Sequence, residues 1–120
     1  MAWLNVQADL RSRLEGALGV PVRVKVPDDI PQRCVVVIRN GGRILNKLQD
    51  RAGVDIYAYG KSEADAYDLM ESVRAEVFTL PFAGGYELMR EETCRSDYDD
   101  EAKRYRWYAS WTITTHKPIQ

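Results

Sequence analysis

The sequence has few of the residues that usually carry catalysis and metal binding. Its 120 residues hold one histidine, His116, and two cysteines, Cys34 and Cys94. A histidine-based nucleophile triad would have to be built on His116, near the end of the sequence. Cys34 lies in the apolar run "RCVVVIR", where a thiol reads as a small buried hydrophobe. Two cysteines and one histidine, widely separated, lack the ligands and the spacing of a zinc site, and two cysteines make no disulfide framework. A reducing, cytosolic setting is the expectation.

Charge excess is also missing. The formal net charge is -1, whereas a dedicated nucleic-acid binder usually carries a clear basic surplus. A local basic patch remains open. No apolar run approaches the ~18 residues of a membrane span. The opening "MAWLNVQADLRSRLEGAL" mixes acids and arginines through its length and does not read as a signal peptide. There is no internal repeat, low-complexity tract or linker, so residues 1–120 are expected to form a single domain with one core.

What is present is periodicity. Residues 3–18 predict a helix, with Trp3, Val6, Leu10, Leu14, Ala17 and Leu18 at helical spacing, ended by Gly19 and Pro21. Residues 20–26, "VPVRVKV", alternate as a strand, and "PDDIP" breaks it. Residues 33–39 are apolar on both faces, as in a central strand. Gly41-Gly42 then predicts a turn or a close backbone approach, with positive φ at one of the two. Residues 53–60 alternate again, Val54, Ile56 and Ala58 inward, Asp55, Tyr57 and Tyr59 outward. Residues 62–77 give the clearest helix: Ser62 is the N-cap, Asp65 forms a weaker capping box, and Ala66, Leu69, Met70, Val73 and Val77 make the buried stripe. Residues 86–94 and 103–116 are strands around the acidic turn "RSDYDDEA". In the last one, Trp107, Ala109, Trp111 and Ile113 share one face with Tyr105, and Arg106, Tyr108, Ser110, Thr112 and Thr114 share the other. The order α-β-β-β-α-β-β predicts an α+β two-layer sandwich, a mostly antiparallel sheet with both helices on one face.

Searching these elements for chemistry returns little. "RNGGRI" has no Lys-Ser or Lys-Thr to make a phosphate loop. "DYDD" at 97–100 lacks the glycine and spaced ligands of a calcium loop and reads as a solvated turn. Asp50, Asp55 and Glu63, with Lys47 or Lys61, would imitate a metal-dependent nuclease, which stays open as an alternative. No cofactor motif is present.

Other features point to assembly. Tyr57 and Tyr59 lie on the polar side of their strand, and Tyr108 stands beside Arg106, residue types that favour subunit contacts. Charge is segregated along the chain: Arg39, Arg43, Lys47 and Arg51 fall in one half, while Glu87, Glu91, Glu92, Asp97, Asp99, Asp100 and Glu101 crowd the other. Head-to-tail contacts in a ring would pair such patches, and independently solvated loops are the plain alternative.

The segment "VRVKVPDDIPQRCVVVIRNGGRILNKLQDRAGVDIYAYGKSEADAYDLMESVRAEV", residues 22–77, resembles the tail terminator proteins of long-tailed bacteriophages. The shared order is a short strand, "VP..IP", a strand ending in Arg, Gly-Gly, Asp-Arg-Ala, a strand, then Ser-Glu-x-x-Ala opening a helix. The closing "KRYRWYASWTIT" is similar too. Arg39, Gly41, Gly42, Asp50 and Arg51 match the most recognisable segment, and Ser62, Glu63 and Ala66 the start of the second helix. "DIYAYG" and the short loop at 81–85 depart from the pattern and leave the subfamily open.

The resemblance implies a structural virion protein rather than an enzyme. Such a protein forms a hexameric ring at the head-proximal end of the tail, assembled in the host cytoplasm. The ring caps the major tail tube protein, stops polymerisation and meets the head-tail connector. DNA passes through it without sequence-specific binding, and neither cofactor nor membrane is involved. A head-tail joining or neck protein is the alternative from the same resemblance. Arg43 and Lys47 are then the foremost lumen or tube contacts, with Arg39, Gly41, Gly42, Asp50, Arg51, Tyr57, Tyr59, Arg106 and Tyr108 as further ring contacts.

Overall fold

The computed structural model describes residues 3–117, and their element order is the expected one. Helix α1 spans Val6–Leu18, strand β1 Val22–Arg23, β2 Cys34–Ile44 and β3 Gln49–Tyr59. Helix α2 spans Glu63–Thr79 and runs into a 3-10 turn at Leu80–Ala83; β4 spans Tyr86–Ser96 and β5 Arg106–His116. The strands make one sheet in the order β1-β2-β3-β5-β4, antiparallel except for the parallel β1–β2 pair. The architecture is thus the α+β two-layer arrangement. No helix among the described residues is long and apolar enough to cross a membrane.

Local chemistry sets the helix ends. Helix α1 starts at Val6 rather than at residue 3, because the Asn5 side chain accepts from Ala8 N–H at 3.1 Å and fixes the first turn there. Trp3 stays outside the helix. Gly19, at φ 67°, closes the other end, donating its N–H to the Glu15 carbonyl at 3.1 Å. In α2, Ser62 Oγ accepts from Asp65 N–H at 3.1 Å, and the Asp65 carboxylate reaches back to Lys61 N–H at 2.9 Å.

The helices bury Val6, Leu10 and Leu14 from α1 and Ala66, Leu69, Met70, Val73 and Val77 from α2. They meet Val35, Val37, Ala52, Val54, Ile56, Ala58, Ala109, Trp111 and Ile113 from the sheet. Each of the larger side chains removed from water contributes roughly 1.5–3 kcal/mol. Ala17, placed in the stripe by spacing, is exposed. Phe78 stacks edge-on against Trp111, with ring centroids 5.2 Å apart.

Two expectations need correction, and a third resolves to one of its two alternatives. The strand predicted over 20–26 pairs only at Val22↔Val35 and Arg23↔Val36, and Val24 and Val26 are exposed. Beyond Arg23 the chain leaves the sheet, and Ile30 packs on the helix-free face against Cys34, Val36 and Tyr59. Nor does Gly41-Gly42 turn the chain: β2 runs through it to Ile44, with a bulge between Arg39 and Gly41. Close approach is the finding at Gly42, where φ is 111° and a side-chain Cβ would overlap the Arg51 carbonyl oxygen. The turn lies at Leu45–Leu48, where Asn46 Oδ1 accepts from the N–H groups of Leu48 (2.8 Å) and Gln49 (2.9 Å). Finally, "DYDD" is not a solvated turn throughout, since Asp97 and Asp99 are both ion-paired to Arg106.

Candidate functional site

The expected contact residues fall in two places on the sheet. Tyr57, Tyr59, Arg106 and Tyr108 come together on the helix-free face. β3 and β5 pair with Tyr57 opposite Tyr108 and Tyr59 opposite Arg106, so all four side chains point to one side. The Tyr57 and Tyr108 rings lie 5.1 Å apart, the Arg106 guanidinium sits 4.4 Å from the Tyr57 centroid, and the Arg95 guanidinium 5.1 Å from that of Tyr108. Tyr108 donates its hydroxyl proton to Asp55 at 2.7 Å.

Arg106 is the centre of this face. Its Nε donates to Asp97 at 2.7 Å, and its Nη1 donates to the Tyr59 hydroxyl oxygen at 2.8 Å and to Asp99 at 3.2 Å. Tyr59 in turn donates to Asp99 at 2.8 Å. Burial and the bond to Asp99 push the Tyr59 phenol up to about 12. Burial also pulls the Asp99 carboxyl upward, but the Ala102 N–H, the Tyr59 hydroxyl and Arg106 outweigh it and leave its pKa lowered. Tyr57 and Tyr108 are raised as well, each by burial first and Asp55 second. Tyrosines, aspartates and the guanidinium groups of Arg95, Arg104 and Arg106 thus interlock on this face. Tyr59 is fully buried, so it is an internal support rather than a side chain offered to a neighbour.

The second place is the far end of the β2–β3 hairpin. There Arg43 stands opposite Arg51 and Ile44 opposite Asp50, with Lys47 in the turn. Asp50, expected as a contact, is only 4% exposed and is held by Arg39 at 3.3 Å, so it presents no surface to a neighbour. Arg39 is committed internally too, its Nε donating to the Gly41 carbonyl at 3.1 Å and its backbone N–H to Gln7 Oε1 at 2.7 Å. Arg43, Lys47 and Arg51 are exposed, and none of them forms an ion pair among the described residues. Between them, Ile44 is 56% and Leu48 64% exposed. The hairpin end, called the arm below, thus carries exposed apolar and basic side chains, although β5 flanks β3 up to Gln49↔His116 and the Leu48 carbonyl accepts from Lys117 N–H at 2.7 Å.

Periodicity alone missed the other end of the molecule. A groove of about 480 Å³ is lined by Val26, Pro27, Asp28 and Ile30 of the β1–β2 connection, by Asp99, Glu101 and Ala102 of the β4–β5 turn, and by Arg106. Arg104 supports it, donating to the carbonyls of Ile30 (3.0 Å), Pro31 (3.0 Å) and Gln32 (2.8 Å). The two segments lie some 70 residues apart in the chain. The only signal in the sequence was "PDDIP", read as a strand breaker, and the acidic segment, read as a solvated turn.

The thiols are not poised as nucleophiles. Cys34 is fully buried and Cys94 half-buried, and burial pushes both thiols up. His116 Nδ1 lies 3.1 Å from Glu87, at the hairpin end of the sheet, whereas Cys34 is at the opposite end beside Tyr59. Asp50, Asp55 and Glu63 do not assemble: among the described residues, no three His, Cys, Asp or Glu side chains form a group that could hold a metal ion.

Fold and surface together define a two-layer α+β domain with an exposed hairpin end, a buttressed sheet face and a groove at the opposite end. Compared with known proteins, the chain matches no family model and no curated protein.

Proposed function

We propose that this chain is a structural subunit of a phage tail, a tail terminator that caps the tail tube as a hexameric ring. One observation carries the reading. The β2–β3 hairpin ends in exposed Ile44 and Leu48 among the cations Arg43, Lys47 and Arg51, none of which is ion-paired among the described residues, so apolar and basic surface is offered together. It lies in the segment whose order of motifs resembles that family. An arm of this composition suits contact with a neighbouring subunit, with the major tail tube protein or with the head-tail connector. Its cations tolerate passing DNA through phosphate contacts that carry no sequence information.

The test is electron microscopy of particles from a phage whose copy of this gene is interrupted. Tails of uncontrolled length, or tails that never attach, support the terminator. Normal tails beside filled but unjoined heads assign the chain to the neck instead, and normal joined virions remove both readings.

A further inference from the structure

Arm and groove lie at opposite ends of the molecule, whose longest dimension is 45 Å. β3 and β5 fix this. They pair from Gln49↔His116, next to the arm, to Tyr59↔Arg106, where Arg106 lines the groove. The two surfaces are chemically complementary. The arm offers Ile44 and Leu48 flanked by Arg43 and Lys47; the groove offers Val26, Ile30 and Ala102 flanked by Asp28 and Glu101. Asp28 and Glu101 are exposed and form no ion pair among the described residues, so both are free to meet a cation.

We propose that the hairpin arm of one subunit seats in the groove of a second copy of this chain, with Leu48 and Ile44 against Val26 and Ile30 and with Arg43 and Lys47 facing Asp28 and Glu101. The contact is heterologous, joining one end of a subunit to the other end of the next. Such a contact closes into a ring when the rotation allows and otherwise runs on as a filament. This deepens the terminator reading and rests on it, because it says which surfaces would hold that ring together. The buttressing of Asp99 by Arg106 and of residues 30–32 by Arg104 keeps the groove walls in place before a neighbour arrives.

Two charge-reversed variants test it, each probed with the protein itself. One is Arg43→Glu with Lys47→Glu; the other is Asp28→Lys with Glu101→Lys. All four positions are exposed, so urea unfolding should match wild type. Alone, each variant sets like charge against like charge and should self-associate at least about tenfold more weakly in sedimentation velocity. Mixed in equal amounts, the two restore opposite charges at every junction of an alternating assembly, and association should return to within about threefold of wild type. Leu48→Ser tests the apolar half and should weaken association without changing its salt dependence. Variants that associate like wild type, or a mixture that stays dissociated, would overturn the arm-in-groove contact. So would wild-type protein that remains monomeric at all concentrations. That last result bears on the contact between free copies alone, and the terminator reading is tested separately by the tail-length phenotype.

Discussion

Removing the Arg106 side chain should unlock the helix-free face. Arg106→Ala deletes bonds to Asp97 (2.7 Å), Tyr59 (2.8 Å) and Asp99 (3.2 Å) and the stacking on Tyr57. The guanidinium is 19% exposed, and its partners Asp97 and Asp99 are 22% and 12% exposed, so water screens this network only in part. Breaking a fully buried pair costs about 3–5 kcal/mol, and an exposed one about 0–1 kcal/mol. Asp99 would keep the Tyr59 hydroxyl and the Ala102 N–H, which softens the loss. The expected destabilisation is therefore about 2–3 kcal/mol. In a chain of this length that is a fall in Tm of roughly 6–15 °C. Urea unfolding measures it, with Arg90→Ala as the control. Arg90 is 69% exposed and, among the described residues, ion-pairs with Glu92 alone, so its loss should stay below about 0.5 kcal/mol. The Arg106→Ala penalty should also shrink in acid. The folded-state pKa of Asp99 is depressed, so its contribution is present above the ordinary aspartate value and is lost as pH falls through the folded one. An Arg106→Ala protein within about 0.5 kcal/mol of wild type at neutral pH would refute the reasoning.

Further outcomes follow from single positions. Gly42→Ala places a Cβ on the Arg51 carbonyl at a φ of 111° and should cost at least about 2 kcal/mol in denaturant unfolding, whereas Gly41→Ala, with open space, should leave stability within about 0.5 kcal/mol. Ser62→Ala removes the α2 N-cap and should cost about 1 kcal/mol, read from the urea midpoint. Stability should fall in alkali, because the folded-state pKa values of Tyr59, about 12, and of Tyr86 are both raised. Their contribution is complete below the ordinary tyrosine value of 10.0 and is lost as pH rises through the folded values. Tyr59→Phe should flatten that decline by about 2 kcal/mol between pH ~10 and ~12.

The layer structure was legible because burial on one side leaves a period in the sequence. Strand alternation put Val54, Ile56 and Ala58 on the helix face, and helical spacing picked out the whole α2 stripe. The misreadings share one cause, which is that periodicity describes a segment and not its partner. "VPVRVKV" alternates well, but β2 offers it only two paired positions. Tyr59 falls in the polar register of β3 yet is buried, because residues 30–32 and Arg104 close over that end of the sheet. Gly41-Gly42 carried the strongest local signal for a turn, but the turn is held by Asn46, a less conspicuous residue whose side chain caps two backbone N–H groups. The groove was not legible at all, since its walls come from two breaker segments brought together by the fold. The basic arm was legible as charge. That its cations surround exposed Ile44 and Leu48 became visible only with the hairpin in place.

As proposed above, this chain would work as a ring at the head-proximal end of a phage tail. An averaged electron-microscopy map of that end of the virion tests it most directly. The expected map shows a six-fold ring into which six copies of this fold fit, each with its β2–β3 arm against the Val26–Ile30 groove of its neighbour. A virion lacking the chain, or a map in which it stands outside any ring with its arm in solvent, would contradict it.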